Sequence, residues 1–353
     1  MRPMLALAVV LLLGGCSKAI DNFMVHKPIK QAMMIPDLPM ICQSANANVS
    51  MAAGAHIRKP PRRALAILET TAAACSEREA MAHQLDAERA WATLDGPQRI
   101  SEVTDARERE RRARATTAGR LNRAYGHVEA RFGTIGESCP KMRNEEDELT
   151  YLLGLIAGAG ALLQDQASGG SQGVTTDRLQ HVARGAACLD DNRWWHVPAA
   201  LRAGTWASVP GTAPEGVDPW DALDQAATSG EGQGMLIARA IQAQLAANAG
   251  RSDIVEKALT RAYASTEPPV DEYLMLDVNA RAILQHQLDL LWVKARGHRS
   301  VEPGKLPGRP GPSSAPPDDP FGEDPFGDDP FASDDDSSPE PDGADQPDPE
   351  NTP

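Results

Sequence analysis

Aromatic residues make up only 4% of this chain, and runs of β-branched or aromatic residues are missing, so the pattern that builds sheets is absent. Alanine, leucine, glutamine, glutamate and arginine dominate instead, and that composition predicts an all-α fold. No HExxH, GxSxG, P-loop or strand-following GxGxxG occurs. These are the spacings that present a zinc base, a nucleophile or a phosphate cradle, so the weight moves from an enzyme to a binding or scaffold role with no catalytic residue and no cofactor. No CxxC and no Cys/His cluster is present either, so no metal site is expected. The eight histidines are scattered, and His83 and His286, both in helical stretches, read as surface or satisfied core groups. A basic excess is lacking as well. The net charge is −14, and from Val301 onward fifteen acidic residues face two basic ones. The remainder is nearly neutral, which excludes a nucleic-acid partner.

What is present begins at the N-terminus. Arg2, an apolar run from Met4 to Leu13, and the step Leu13-Gly14-Gly15-Cys16 resemble the bacterial lipoprotein signal. The run of roughly a dozen residues is too short for a spanning helix, which needs about 20. The resemblance implies that residues 1–15 are removed, that Cys16 carries a diacylglyceryl group and that residues 16–38 form a lipidated N-terminus and tether, with a short helix broken at Pro28. It also implies anchorage to the bacterial cell envelope. Ser17, rather than aspartate, after the lipid cysteine points to the outer membrane facing the periplasm.

Four further cysteines, Cys42, Cys75, Cys139 and Cys188, form an even set that suggests two disulfides in an exported protein. A helix beginning near Met40 and another ending near Cys75, joined at Lys59-Pro60-Pro61, would bring Cys42 and Cys75 to the open end of a hairpin. The same logic pairs Cys139 with Cys188 across a turn at Ser168-Gly169-Gly170-Ser171.

From residue 39 to 296 the chain reads as stacked antiparallel helical hairpins. Three helical patterns run from Pro39 to Leu94, with turns at residues 59–62 and around Cys75-Ser76. Ala64, Leu65, Leu68 and Ala72 recur at helical spacing in the second, as do Met81, Leu85, Glu88 and Trp91 in the third. Residues 98–132 form a long helix whose centre alternates acid and base from Asp105 to Arg114. It is either a solvated face laced by weak ion pairs or a basic surface for an acidic partner or the lipid headgroups. Asn144, followed by four acids, is a helix start. Tyr151 to Leu163 is apolar on every face and predicts a central buried helix, whose Gly154 and Gly158 let a neighbour approach closely. Another helix spans Thr176 to Leu189. Arg193, Trp194 and Trp195 are candidates for a ligand pocket or contact patch, or else plug the end of the core. The prolines between Trp206 and Pro219 suggest an ordered connection, and three helices follow near residues 234–248, 252–264 and 271–293.

Residues 297–353 are rich in Pro, Gly, Ser, Asp and Glu and predict a disordered acidic tail. Within it a DPF repeat of period five carries Phe321, Phe326 and Phe331. These are either anchors for multivalent contact with a protein partner or part of a solubilising brush. A calcium role fits poorly, because EF-hand spacing is missing.

The lipid cysteine, Tyr151-Leu152-Leu153-Gly154 opening an alanine/glycine-rich helix, the acidic hairpin end at Cys188-Leu189-Asp190 and the paired helices of Met235 to Tyr263 resemble the T-component family of TRAP transporters over residues 16–296. That resemblance implies a degenerate TPR-like solenoid anchored by lipid, which binds a solute-binding protein or a small apolar ligand and helps pass it to a permease. The charged helix and the DPF tail depart from the family pattern. The alternative is a lipoprotein that organises an envelope complex through its acidic tail, with no transport role.

Overall fold

A computed structural model describes residues 21–54, 59–92 and 96–308. The lipid signal with Cys16, and the DPF repeats with Phe321, Phe326 and Phe331, lie outside the described residues. All regular structure within them is helical. A π-helical turn, Val25–Ile29, leads into α1 (Lys30–Met33). There follow α2 (Leu38–Gly54), α3 (Arg62–Ala92), α4 (Gly96–Phe132), α5 (Glu145–Ala167), α6 (Arg178–Ala186) and α7 (Val197–Ser208). The remainder are α8 (Pro219–Glu231), α9 (Ile237–Asn248), α10 (Ser252–Ala264), a 3₁₀ turn at Asp271–Tyr273 and α11 (Leu274–Arg296).

Each consecutive pair from α2·α3 to α9·α10 packs as a hairpin, and α10 lies against α11. The hairpins are stacked, and the stack closes on itself. Among the odd-numbered helices α3 touches α5, α5 touches α7, α7 touches α9, α9 touches α11, and α11 returns to α3. Five inner helices therefore form a ring, and α4, α6, α8 and α10 are the outer return strokes.

Local chemistry sets the elements. Asn144 caps α5 by accepting a hydrogen bond from the Asp147 N–H at 2.9 Å, and four acids fill the positive first turn. Across most of its length α5 is buried, as expected of a stretch without a polar face. Gly154 and Gly158 are small because α4 lies on them. An added Cβ would come within 2.5 Å of Val128 and 2.4 Å of Tyr125 respectively, so the glycine pair gains close approach at a cost in helix propensity.

Several expectations are corrected. No turn interrupts the chain at Cys75-Ser76, because α3 is a single helix from Arg62 to Ala92. The stretch holds no proline or glycine, and the Ser76 hydroxyl bonds back to the Ala73 carbonyl at 3.0 Å, which a helix tolerates. The connection expected between Trp206 and Pro219 is present as the non-helical residues 209–218, and two helices not expected, α7 and α8, flank it. Their prolines, Pro198 and Pro219, sit in the first turn, where the missing N–H has no partner to lose, and Asp218 caps α8 through the Trp220 and Asp221 N–H groups. Pro28 does not break the tether helix. A π-helical turn absorbs it, and Val25, Ile29 and Met33 are buried against the core. At the other end, residues 297–308 fold back on the body rather than starting the tail. Trp292 Nε1 donates to the Lys305 carbonyl at 2.7 Å, and Leu306 packs against the core.

Candidate functional site

The side chains singled out in the sequence divide into two groups. Cys42 is bonded to Cys75, and Cys139 to Cys188. The first bond ties α2 to the middle of α3, and the second fastens the segment before α5 to the end of α6. Trp194 and Trp195 are buried, at 1% and 6% exposure, so they offer no contact patch. Both pack edge-on to each other and to Tyr273. The Trp194 indole donates to Glu148 at 3.0 Å, and Tyr273 bonds Glu145. Arg193 is half-exposed and pairs with Glu145 and Glu148. These residues immediately precede α7 and α11 and meet the first turn of α5, so the aromatic cluster packs the ring at the N-terminal ends of the inner helices. Trp195 and His196 adopt positive φ, 50° and 57°, a conformation disfavoured for such side chains and held here by the burial of Trp195.

The open space lies further along the same helices. A cavity of about 180 Å³ is lined by all five inner helices. Each contributes one stripe at helical spacing: Thr70, Ala73, Ala74 and Glu77 from α3; Leu153, Ile156, Gly160 and Leu163 from α5; Leu201, Gly204, Thr205 and Ser208 from α7; Ile237, Ala240, Ile241, Gln244 and Leu245 from α9; Leu276, Asn279, Ala280 and Ile283 from α11. The small residues decide the outcome. Alanine and glycine at the positions facing the axis leave room where leucine would have filled it.

Polar groups gather toward the C-terminal ends of α5 and α9. There a second space of about 400 Å³ is lined by Gln84, Arg107, Glu110, Arg111, Arg114, Gln164, Gln244 and Asn248, among others, and shares Leu163 and Gln244 with the apolar cavity. These two residues border both spaces. Arg114 donates to Glu110 at 2.8 Å, to Gln164 at 3.1 Å and to Gln84 at 3.1 Å. Gln164 in turn donates to Glu77 at 3.0 Å. Protein surrounds the Glu77 carboxyl, yet the residue keeps some open surface, and that surface faces the cavity. Burial pushes its pKa up, against the lowering pull of Arg114 and of the Gln164 bond, so Glu77 resists ionising where the walls are apolar. Among the described residues, neither the Gln244 nor the Asn279 amide has a hydrogen-bond partner, and both border the cavity.

His286 stands behind this network. Its Nε2 bonds the Gln84 side-chain amide oxygen at 2.8 Å, and its buried Nδ1 has no partner. Burial, with Arg114 and Arg299 nearby, lowers its pKa to about 3. The unfolded chain takes up this proton below about 6.5 and the folded one does not, so stability falls as pH drops from there toward 3. Replacing the imidazole removes that loss. In urea unfolding at pH 7 and pH 4.5, His286→Gln is expected to lose about 2–3 kcal/mol less than the parent over this interval. Equal losses in both proteins would contradict the assignment.

The ion-pair reading of the charged helix holds within α4, where Asp105–Arg109, Glu108–Arg111, Glu108–Arg112 and Glu110–Arg114 pair at helical spacing. The sequence did not reveal that Arg107, Arg111 and Arg114 from this helix border a concave space. No group of three or more His, Cys, Asp or Glu able to hold a metal occurs among the described residues, and no helix among them is long and apolar enough to cross a membrane. No known family, curated protein or solved structure matches the chain.

Proposed function

We propose that this chain is a membrane-tethered helical scaffold that holds a small apolar ligand inside its ring and offers it to a protein partner. The observation that carries the reading is the cavity built from one stripe of each inner helix. Alanine and glycine on the facing stripes keep that space open where larger side chains would close it. Apolar walls with a few polar groups at one end are the usual form of a small-molecule site. The tether follows from the lipoprotein-like start, through a diacylglyceryl group on Cys16 that holds the body at the periplasmic face of the outer membrane. In the setting that the resemblance to TRAP T-components implies, the partner is a solute-binding protein and the role is accessory to transport rather than catalytic.

The test uses the neutral dye N-phenyl-1-naphthylamine with the purified chain. Saturable, single-site fluorescence enhancement is expected. Ile156→Trp puts an indole into the middle of the cavity from a residue already facing it, and is expected to weaken dye binding at least tenfold with the helical circular dichroism unchanged. Absence of saturable binding, or equal binding by a folded Ile156→Trp variant, would sink the ligand reading.

A further inference from the structure

The two adjoining spaces differ in chemistry, and that difference specifies a ligand. Going from Leu153 to Leu163, the α5 stripe rises about 15 Å at 1.5 Å per residue, an elongated apolar wall of the kind an alkyl chain lies along. At Leu163 and Gln244 the walls stop being apolar. Beyond them three guanidinium groups, from Arg107, Arg111 and Arg114, face one lining carboxylate, Glu110, while Arg107 and Arg111 are bonded besides to Glu88 and Glu108 outside the lining. The last turns of α5 and α9 also reach this space, each with a partial negative charge of about one half.

The arginines are not equally committed. Arg114 is nearly covered, and its bonds to Glu110, Gln164 and Gln84 fix it as part of the wall. Arg107 and Arg111 are about half exposed. Arg107 bonds two largely covered carboxylates, Glu88 at 2.5 Å and Glu110 at 3.0 Å, whereas the Arg111–Glu108 pair is a surface ion pair of the kind worth under about 1 kcal/mol. A pair of the latter kind yields readily to a ligand anion that offers charge-assisted hydrogen bonds of its own. Glu77, which lines the apolar cavity, resists ionising there, as an alkyl chain lying beside it requires.

We infer that the apolar cavity and the arginine-lined vestibule are one site for a single-chain anionic amphiphile, with its tail inside the ring and its head among Arg107, Arg111 and Arg114. This rests on the apolar-ligand reading above and adds the head group to it. No bond is made or broken. The head anion displaces Glu108 from Arg111 and shares Arg107 with its carboxylate partners, and the tail displaces water from the ring.

The experiment titrates the purified chain by calorimetry with four ligands of one tail length, each below its micellar concentration: dodecanoate, dodecyl phosphate, dodecan-1-ol and dodecyltrimethylammonium. At least one of the two anions is expected to bind tenfold or more tightly than the alcohol, with the cation weakest, and which anion leads identifies the head. The double variant Arg107→Gln/Arg111→Gln alters only half-exposed side chains. It is expected to bring the anions down to the affinity of the alcohol while leaving the alcohol unchanged. Alcohol and anions binding equally, or anion binding unaffected in the double variant, would overturn the head-group assignment and leave the apolar site standing. Failure of all four ligands to bind would remove both.

Discussion

Reducing the two disulfides is expected to destabilise the folded chain by roughly 4 kcal/mol for each bond, from the entropy restored to unfolded loops of about 33 and 49 residues. The logarithm makes the two nearly equal, differing by about 0.4 kcal/mol. Their accessibility is unequal. Cys42 is buried, whereas Cys139 is exposed and Cys188 half-buried, so graded reductant is expected to open Cys139–Cys188 first. Denaturant unfolding of the variants Cys42→Ala/Cys75→Ala and Cys139→Ala/Cys188→Ala checks the energies, and thiol labelling after brief reduction checks the order. Losses below about 1 kcal/mol would mean that helix packing alone already holds these ends together.

Arg239→Ala is expected to cost about 3–5 kcal/mol, because it strands buried charge. The Arg239 side chain is fully covered. It donates to Glu231 at 2.5 Å and Asp224 at 2.6 Å, and also bonds Gln242 and Thr228. It thereby links α8 to α9. Burial alone would raise the pKa of Asp224, but the bonds from Arg239, Lys257 and Gln242 outweigh it and hold the carboxyl at about 2. The stability from Asp224 is therefore present above its unfolded value, near 4, and lost as pH falls toward 2. Thermal or urea unfolding at pH 7 measures the loss. At pH 2.5 the gap between variant and parent is expected to narrow, and a gap that widened on acidification would contradict the charge-pair account.

How far the sequence could be read depended on whether the signal was local. The Asn144 start, the burial of Tyr151 to Leu163 and the glycine pair against α4 were legible because capping, periodicity and side-chain size act within one or two turns. The helices α7 and α8 on either side of the 209–218 connection were not legible, since a proline that starts a helix and one that ends a loop look alike until the next turn is counted. The closure of the ring was invisible. Contact between α3 and α11 joins residues some two hundred positions apart, and no periodicity records it. The cavity was hidden for the same reason. Ala73, Gly160, Gly204 and Ala280 resemble ordinary packing positions until five stripes are seen to face one axis. Glu77 was lost among neighbouring charges at Arg78 and Glu79, although only Glu77 points inward. The paired tryptophans stand out as rare large aromatics, and their rings pack the ring's end instead of facing a partner.

A closed ring makes the final helix an architectural keystone. In an open array of repeats a unit can be trimmed from either end at the cost of one interface. Here the loss of α11 would unroof α3 and α9 together and leave the binding chamber without one of its five walls. Until that last segment emerges and docks, the preceding hairpins display their inward apolar stripes to water, so the chamber comes into being only when the whole circuit is complete.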